Sequence, residues 1–164
     1  MWDFSNYGSH IPVLCRCFTE LRESNGNVLE LGAGDFSTPL THEFCINRNL
    51  LTLDSNEQWV EKFKYLSTYK HVIRKVNGWK DLKAYKEMWD IVLVDQLPGE
   101  YRRYSIDALA NNAKLIICHD TENWDNVYGY KFVLPSFKYL VEYKWHSTRT
   151  MVVSNFIDCR NWWK

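Results

Sequence analysis

The residues best suited to chemistry stand directly after four apolar segments of the chain. They are Glu30 with Gly32 and Gly34, Asp54, Asp95, and His119 with Asp120. Carboxylates and imidazoles can hold sugar hydroxyls, move protons or ligate a metal ion, and glycines let the backbone approach a ligand closely. An acidic residue after a strand often only caps a turn, so each position alone has a structural explanation. Four such positions together favour a functional site.

The turn at 28–38, VLELGAGDFST, indicates the kind of ligand. A dinucleotide-binding turn has a third glycine where this chain has Ser37. A carboxylate at Glu30, two residues before the first glycine, would repel a pyrophosphate but favour a ligand with an amino group. Asp54, twenty residues beyond Gly34, is placed to accept both hydroxyls of a ribose. The turn therefore favours a ribose-containing ligand that also carries positive charge.

The apolar pattern predicts strands that alternate with helices. Predicted strands span 28–31, 50–53, 71–76, 89–95, 114–118, 137–143 and 150–154. Predicted helices span 9–22, 37–47, 58–66 and 104–111, whereas 122–136 reads as a loop over the ligand cleft. Alternating strands and helices imply a mostly parallel sheet, and nearly continuous apolar strands such as IVLV imply that both of its faces are covered.

We therefore predict a single α/β domain with a seven-stranded, mostly parallel sheet whose last strand is antiparallel. Its parts would be an N-terminal helical segment at 1–27, a core at 28–155 and a tail at 156–164. In such a sheet, ligands bind outside the carboxyl ends of the strands, where the strand order switches direction. The polar residues named above all lie at that edge.

With these elements in place, the chain resembles the class I S-adenosylmethionine-dependent methyltransferases, which have a Rossmann-like three-layer sandwich. Their first motif has the form acid-x-G-x-G, as in ELGAG at 30–34, and the resemblance extends from 28 to about 155. It implies S-adenosylmethionine as the cofactor. The residues that it assigns to the cofactor are Glu30, Gly32, Ala33, Gly34, Ser37, Thr38, Asp54, Ser55, Asn77, Gly78, Trp79 and Asp95. Within this set, Glu30 and the glycines would flank the methionine part, Asp54 would bind ribose and 77–79 would border adenine.

Asp95 and His119 are the catalytic candidates, because they follow adjacent strands if the strand order is that of the family. His119 is the first choice as base, since the ordinary pKa of histidine, about 6.5, suits proton transfer near neutral pH. The alternative is that His119 pairs with a carboxylate and orients a loop. Asp95 and Asp120 also resemble the metal ligands of the catechol and macrolide-sugar O-methyltransferases, which makes Mg²⁺ a second cofactor candidate.

Candidate contacts of the methyl acceptor come from several parts of the chain. The predicted substrate residues are His10, Gln96, His119 and Glu122. Ser9 with His10, Trp124 with Tyr128, and the Trp162-Trp163 tail are further candidates to border the acceptor. Arg102 and Arg103 are interpreted as solvated arginines at the start of a helix, with contact to an anionic group as the alternative.

Composition narrows the classes of acceptor. Lys plus Arg and Asp plus Glu number 20 each, so the chain has no overall positive field for a nucleic-acid partner. The segment DQLPGEYRR lacks the D/N-P-P-Y/F motif of enzymes that methylate base amino groups. No apolar stretch approaches the ~20 residues of a membrane span and no leader pattern is present, so we expect a cytoplasmic protein.

The cysteines and the size of the chain complete these expectations. The five cysteines contain no C-x-x-C pair, so neither a disulfide framework nor a zinc site is signalled. Few residues remain outside the predicted core, and we therefore expect a small-molecule, glycan or natural-product acceptor, with a homodimer as one way to complete its pocket. The predicted function is enzymatic methyl transfer to oxygen or nitrogen. The alternatives are S-adenosylmethionine binding without transfer, nucleic-acid methylation and NAD-dependent oxidation.

Overall fold

One mixed sheet organises the computed structural model, which describes residues 8–124 and 128–164. Its strands are β1 Val28–Leu31, β2 Leu50–Asp54, β3 His71–Lys75, β4 Trp89–Val94, β5 Ala113–His119, β6 Tyr139–Tyr143 and β7 Thr150–Ser154. Their order across the described part of the sheet is β3-β2-β1-β4-β5-β7-β6. The strand β7 pairs antiparallel with β5 and with β6, and the other pairs are parallel. The predicted α/β fold with an antiparallel last strand is confirmed.

The helices in the described residues are α1 Ile11–Glu20, α2 Ser37–Phe44, α3 Glu57–Phe63 and α4 Arg102–Leu109. Helix α4 begins two residues before the predicted start, which makes Arg102 its first residue. The segment predicted as a loop at 122–136 contains 3-10 helices at Tyr130–Phe132 and Leu134–Ser136. Within that segment, residues 125–127 lie outside the described residues. None of the described helices is long and apolar enough to cross a membrane.

Both faces of the central strands β4 and β5 are buried, which explains their nearly continuous apolar sequences. On one face, Val92, Val94, Ile116 and Cys118 pack in a core that includes Trp79, Ile106 and Tyr130. On the other face, Ile91, Leu93, Leu115 and Ile117 pack against α1 through Val13, Leu14, Cys17 and Phe18. Successive residues of β4 and β5 thus alternate between two cores. The predicted three-layer sandwich follows from this alternation.

The strand register aligns the ends of four strands. Leu31 of β1 pairs with Leu53 of β2 on one side and with Val94 of β4 on the other, and Val94 pairs with Cys118 of β5. The residues one step further along therefore form a row, namely Asp54, Gly32, Asp95 and His119. The connections from β1 and β4 leave in opposite directions across the sheet, so this row lies at the switch point, where parallel sheets hold their ligands.

Candidate active site

The glycine turn after β1 lies directly against the end of β4. Gly32 has φ +94°, and a Cβ atom there would lie 2.7 Å from the backbone carbon and oxygen of Asp95. A side chain is therefore excluded by conformation and by space, since positive φ is easily adopted only by glycine. The amide of Gly32 donates to Leu53 O at 2.9 Å and that of Asp95 to Leu31 O at 2.8 Å. Gly32 thus brings three strand ends together.

Glu30 supports this turn from beneath. Its side chain is fully buried. Its Oε2 accepts the hydroxyl of Thr52 at 2.8 Å, and its Oε1 accepts that of Thr38 at 3.1 Å. Thr38 Oγ1 in turn accepts the amide of Gly34 at 2.9 Å. Burial raises the pKa of Glu30 to about 7, although hydroxyls of Ser37, Thr52 and Thr38 oppose that rise. Glu30 therefore stabilises the turn through Thr38. Ser37 and Thr38 likewise stabilise the turn through their hydroxyls.

Asp54 ties the second strand to the glycine turn. Its Oδ2 accepts the amide of Ala33 at 2.8 Å, and its Oδ1 accepts the amide of Asn56 at 2.7 Å. Burial raises the pKa of Asp54, and the backbone amides of Asn56 and Ala33 limit the rise. A carboxylate offers about four lone-pair sites, more than the amides of Asn56, Ala33 and Ser55 occupy. The geometry therefore fixes Asp54 beside the turn with acceptor capacity left for ligand hydroxyls.

The loops after β2, β3 and β4 meet at the carbonyl of Leu97. That oxygen accepts Ser55 Oγ at 3.0 Å and Trp79 Nε1 at 2.7 Å. The Trp79 indole is buried in the core, so it holds these loops from below, whereas Asn77 and Gly78 are exposed at the rim. An open cleft of about 570 Å³ adjoins Trp79 on the α4 side and is lined by no other predicted site residue.

A cluster of two acids and a histidine lies across the switch point from Asp54. Nδ1 of His119 is 3.2 Å from Asp95 Oδ1 and 3.3 Å from Asp120 Oδ1. Asp120 has φ +57°, a left-handed conformation that is unusual outside glycine and is enriched at functional sites. The two carboxylates are each 25% exposed, while the side chain of His119 is 6% exposed. The acids thus face solvent with the imidazole behind them.

The charges in this cluster reinforce one another. Burial on its own would lower the pKa of His119, but the carboxylate of Asp95 beside Nδ1 outweighs it and raises that pKa. Burial likewise opposes ionisation of Asp95, yet His119 and then Arg102 lower its pKa overall. The pair therefore favours a carboxylate at Asp95 and a more basic imidazole at His119.

The residues before α1 complete the surroundings of His119. Ser9 Oγ is 2.9 Å from His119 Nε2, and the rings of His10 and His119 meet edge to face with centroids 4.8 Å apart. Burial lowers the pKa of His10 to about 4, helped by the charge of His119. Asp95, His119 and Ser9 have the order of a hydrolytic triad, but Ser9 is fully buried. It can therefore orient the imidazole without being open to a substrate.

Arg102 was misjudged from the sequence, because it is a buried part of this cluster and not a solvated arginine. Its Nη2 lies 2.8 Å from Asp95 Oδ1, and its Nη1 lies 2.8 Å from Asp120 Oδ2. The ring of Tyr128 covers its guanidinium at 4.3 Å. Helix propensity places Arg102 at the start of α4 but carries no information on such distant partners. The available sequence signal is the segment DQLPGEYRR, in which Arg102 follows the acid after β4 by only seven positions.

The predicted Mg²⁺ site between Asp95 and Asp120 does not fit this arrangement. The guanidinium of Arg102 already bridges the two carboxylates, whereas Mg²⁺ requires near-octahedral oxygen ligands at about 2.0–2.1 Å. Among the described residues, one group of three potential ligands lies close enough to hold a metal, namely His10, Asp95 and His119, with ligand atoms within 4.8 Å of one another. That group shares Asp95 and therefore the neighbouring charge of Arg102.

Two predicted substrate residues lie outside this cluster. The side chain of Gln96 is fully buried and donates to Ser105 Oγ, so only its backbone faces the site. Glu122 is exposed, and its Oε2 accepts the amide of Arg149 at 3.1 Å. The tail also packs elsewhere: Arg16 covers Trp162 at 5.0 Å, and Trp163 contacts Tyr143 with centroids 4.9 Å apart.

Comparison with solved structures supports the fold. A candidate O-methyltransferase from Klebsiella pneumoniae has a TM-score of 0.62 at 14% identity, over 85% of this chain and 78% of its own. The bifunctional kinase-methyltransferase WbdD has a TM-score of 0.61 at 15% identity, over 88% of this chain and 38% of its own. The N-terminal domain of EvdMO1, solved with S-adenosylhomocysteine bound, has a TM-score of 0.51 at 18% identity, over 65% of this chain and 48% of its own.

This chain thus spans less than half the length of WbdD and of the EvdMO1 domain. No protein-family model and no curated protein sequence matches it. At these identities the likeness shows the fold alone, and it agrees with the Rossmann-like sandwich of methyltransferases expected from the motif at 30–34.

Proposed function

We propose that the protein transfers a methyl group from S-adenosylmethionine to oxygen or nitrogen of a small-molecule or sugar acceptor. The observation that carries the proposal is the row Asp54, Gly32, Asp95 and His119 at the switch point of the sheet. Asp54 and the tight glycine turn lie on one side of this row, and the acid-histidine pair lies on the other; we assign ribose binding to Asp54. Methyl transfer needs these two halves, one for the donor and one for the acceptor.

The donor half suits S-adenosylmethionine better than a dinucleotide. Asp54 is bonded to the amide of Ala33, so the ribose site and the glycine turn form one unit. The exposed residues Asn77 and Gly78 follow directly after Val76, whose amide donates to Asp54 O at 2.8 Å. Ser37 stands where a dinucleotide-binding turn has its third glycine, which disfavours a pyrophosphate. Neighbouring folds include an O-methyltransferase candidate and a domain with bound S-adenosylhomocysteine, which agrees with this choice.

The acceptor half supplies orientation and a base. Methyl transfer is an in-line displacement at a sulfonium, so the protein mainly has to position the acceptor and receive its proton. His119 is the proposed base, with its charge balanced by Asp95 at 3.2 Å and its ring oriented by Ser9 at 2.9 Å. Nε2 of His119 contacts the buried Ser9, so the proton of the acceptor would reach Nδ1 through the two acids. The carboxylates of Asp95 and Asp120 are 25% exposed, lie 3.2 and 3.3 Å from Nδ1, and can accept hydrogen bonds from an acceptor hydroxyl or amine.

Calorimetric titration with S-adenosylhomocysteine tests the proposal. We expect binding by the wild type and a loss of affinity of about tenfold or more in Asp54→Asn, because the ribose hydroxyls lose a charged acceptor. Asp107→Asn on the α4 surface is the matched control and should bind as the wild type does. No binding at high micromolar ligand by a folded sample would refute the proposal, and preferential binding of NAD would favour the oxidoreductase alternative.

A methyl acceptor would then be sought by following S-adenosylhomocysteine formation with panels of sugars, hydroxy compounds and amines. Turnover with any member of the panel separates an enzyme from a protein that only binds S-adenosylmethionine. Methylation of an oligonucleotide alone would instead support the nucleic-acid alternative, which the balanced charge of the chain disfavours.

A further inference from the structure

The guanidinium of Arg102 fills the space between two acids at the ends of β4 and β5. Its side chain is 3% exposed, and its Nη2 and Nη1 lie 2.8 Å from Asp95 Oδ1 and from Asp120 Oδ2. Charge-assisted contacts of this length are among the strong hydrogen bonds of proteins. In the O-methyltransferases that use a metal, which the sequence resembles at these acids, a cation would bind here. In this chain, a cation of the protein itself occupies the position.

Three backbone carbonyls also hold the guanidinium of Arg102, so its position does not depend on the two acids alone. Its Nε donates to Gln96 O at 3.0 Å. Its Nη1 also contacts His119 O at 3.3 Å, and its Nη2 contacts Asp95 O at 3.3 Å. The guanidinium therefore joins both strand ends through carbonyl and carboxylate oxygens alike. A planar group with five donors suits this set of acceptors, whereas a lysine could reach only part of it.

The charge of the cluster leaves little attraction for a second cation. Two carboxylates face one guanidinium and the imidazole of His119, whose Nδ1 lies 3.2 and 3.3 Å from them. A divalent ion placed on Asp95 would stand next to Arg102, and like charges at such separations repel strongly outside bulk water. Asp95 Oδ1 also already contacts both Arg102 and His119. The same repulsion applies to a transition metal held by His10, Asp95 and His119.

We propose that Arg102 is an internal substitute for the divalent metal ion, so that it positions Asp95 and Asp120 and the methyl transfer proceeds without a metal. The proposal rests on the proposed function for its last clause only. Arg102 is a positioning residue in this account, because it acts through the two acids and through His119, which they flank. A lone acid pair would need a metal or protons to relieve its repulsion, and Arg102 relieves it permanently.

Metal binding to the chelator-treated full chain tests the substitution without cofactor or activity. Free Mn²⁺ is followed by electron paramagnetic resonance, and we expect no tight binding to the wild type. Arg102→Met, which keeps an unbranched apolar stem but removes the charge, should bind Mn²⁺ about tenfold more tightly or better. The double variant Arg102→Met with Asp120→Asn should lose that gain. Tight Mn²⁺, Zn²⁺ or Co²⁺ binding to the wild type that Asp95→Asn or His10→Ala abolishes would overturn the proposal.

A second measurement covers the case in which Arg102→Met fails to fold. In Arg102→Lys the positive charge stays but the bridge is incomplete, so we expect a folded protein that still excludes Mn²⁺. A folded lysine variant that binds Mn²⁺ tightly would contradict the role of charge. Where Arg102→Met does fold, the pKa of His119, read by NMR, should rise in that variant because the charge of Arg102 lowers it. Absent S-adenosylhomocysteine binding would refute the proposed function and leave these metal results standing.

Discussion

Nδ1 of His119 lies 3.2 Å from Oδ1 of Asp95, although 24 positions separate the two residues along the chain. The contact forms because β4 and β5 are adjacent and in register, so the residues after Val94 and Cys118 meet. It makes the imidazole more basic and the carboxyl more acidic than usual. The rate of the proposed methyl transfer should therefore depend on pH through this pair.

The pKa of His119 should lie above its ordinary value of 6.5, and Asp95→Asn should lower it. Burial would then act without the opposing charge of Asp95. NMR titration of labelled histidine checks both statements, and His71, whose pKa burial lowers to about 4, serves as an internal reference. An unchanged His119 titration in Asp95→Asn would show that the contact has no electrostatic effect.

Methyl transfer should speed up as pH rises through the raised pKa of His119, because a base must be unprotonated to accept a proton. His119→Ala should reduce kcat by about a hundredfold or more while the Kd of S-adenosylhomocysteine changes little. His146→Ala, at a half-buried ring outside this cluster, is the matched control. A His119→Ala variant with the wild-type rate would remove His119 from the mechanism.

Gly32→Ala should abolish S-adenosylhomocysteine binding and destabilise the fold by about 1–3 kcal/mol. The alanine would have to adopt φ +94° with its Cβ 2.7 Å from the backbone of Asp95. Gly78→Ala is the control, because nothing lies within 4 Å of its added Cβ. Urea unfolding and calorimetry of the two variants make the comparison. Equal behaviour of both would mean that the turn tolerates a side chain.

The free energy of unfolding of Glu30→Gln, relative to that of the wild type, should increase by on the order of 3 kcal/mol between pH 5 and pH 8. The pKa of Glu30 is about 7 in the folded chain against 4.5 for an ordinary glutamate. Between these values the folded state holds the extra proton, so the wild-type free energy of unfolding falls as pH rises from about 4.5 to about 7. Glutamine has no such proton to lose.

Urea unfolding of wild type and Glu30→Gln at both pH values measures that difference. Glu61→Gln, at a side chain that is 55% exposed, should show no comparable change between pH 5 and pH 8. A Glu30→Gln variant whose stability follows the wild type at both pH values would contradict the raised pKa of Glu30.

The order of elements and the row of polar strand ends were predictable from local patterns. The apolar runs around Val94 and Cys118 identify strands, and the residues that follow them must share an edge when the strands are parallel. The ELGAG motif likewise indicated the donor side, because the two glycines and the acid are neighbours in sequence. Helix ends were less accurate, and α4 begins at Arg102 and not at Tyr104.

The sequence by itself therefore determined the sheet, the glycine turn and the candidate pair Asp95 and His119. The tertiary structure alone decided that Glu30 is buried beneath the turn, that Ser9 contacts His119 across 110 positions, and that Arg102 joins two acids. Periodicity records whether a residue faces a core, but it does not record which distant charge will meet it there. Arg102 reaches Asp95 and Asp120 because helix α4 packs over the ends of β4 and β5. Its guanidinium therefore lies where a metal ion was expected.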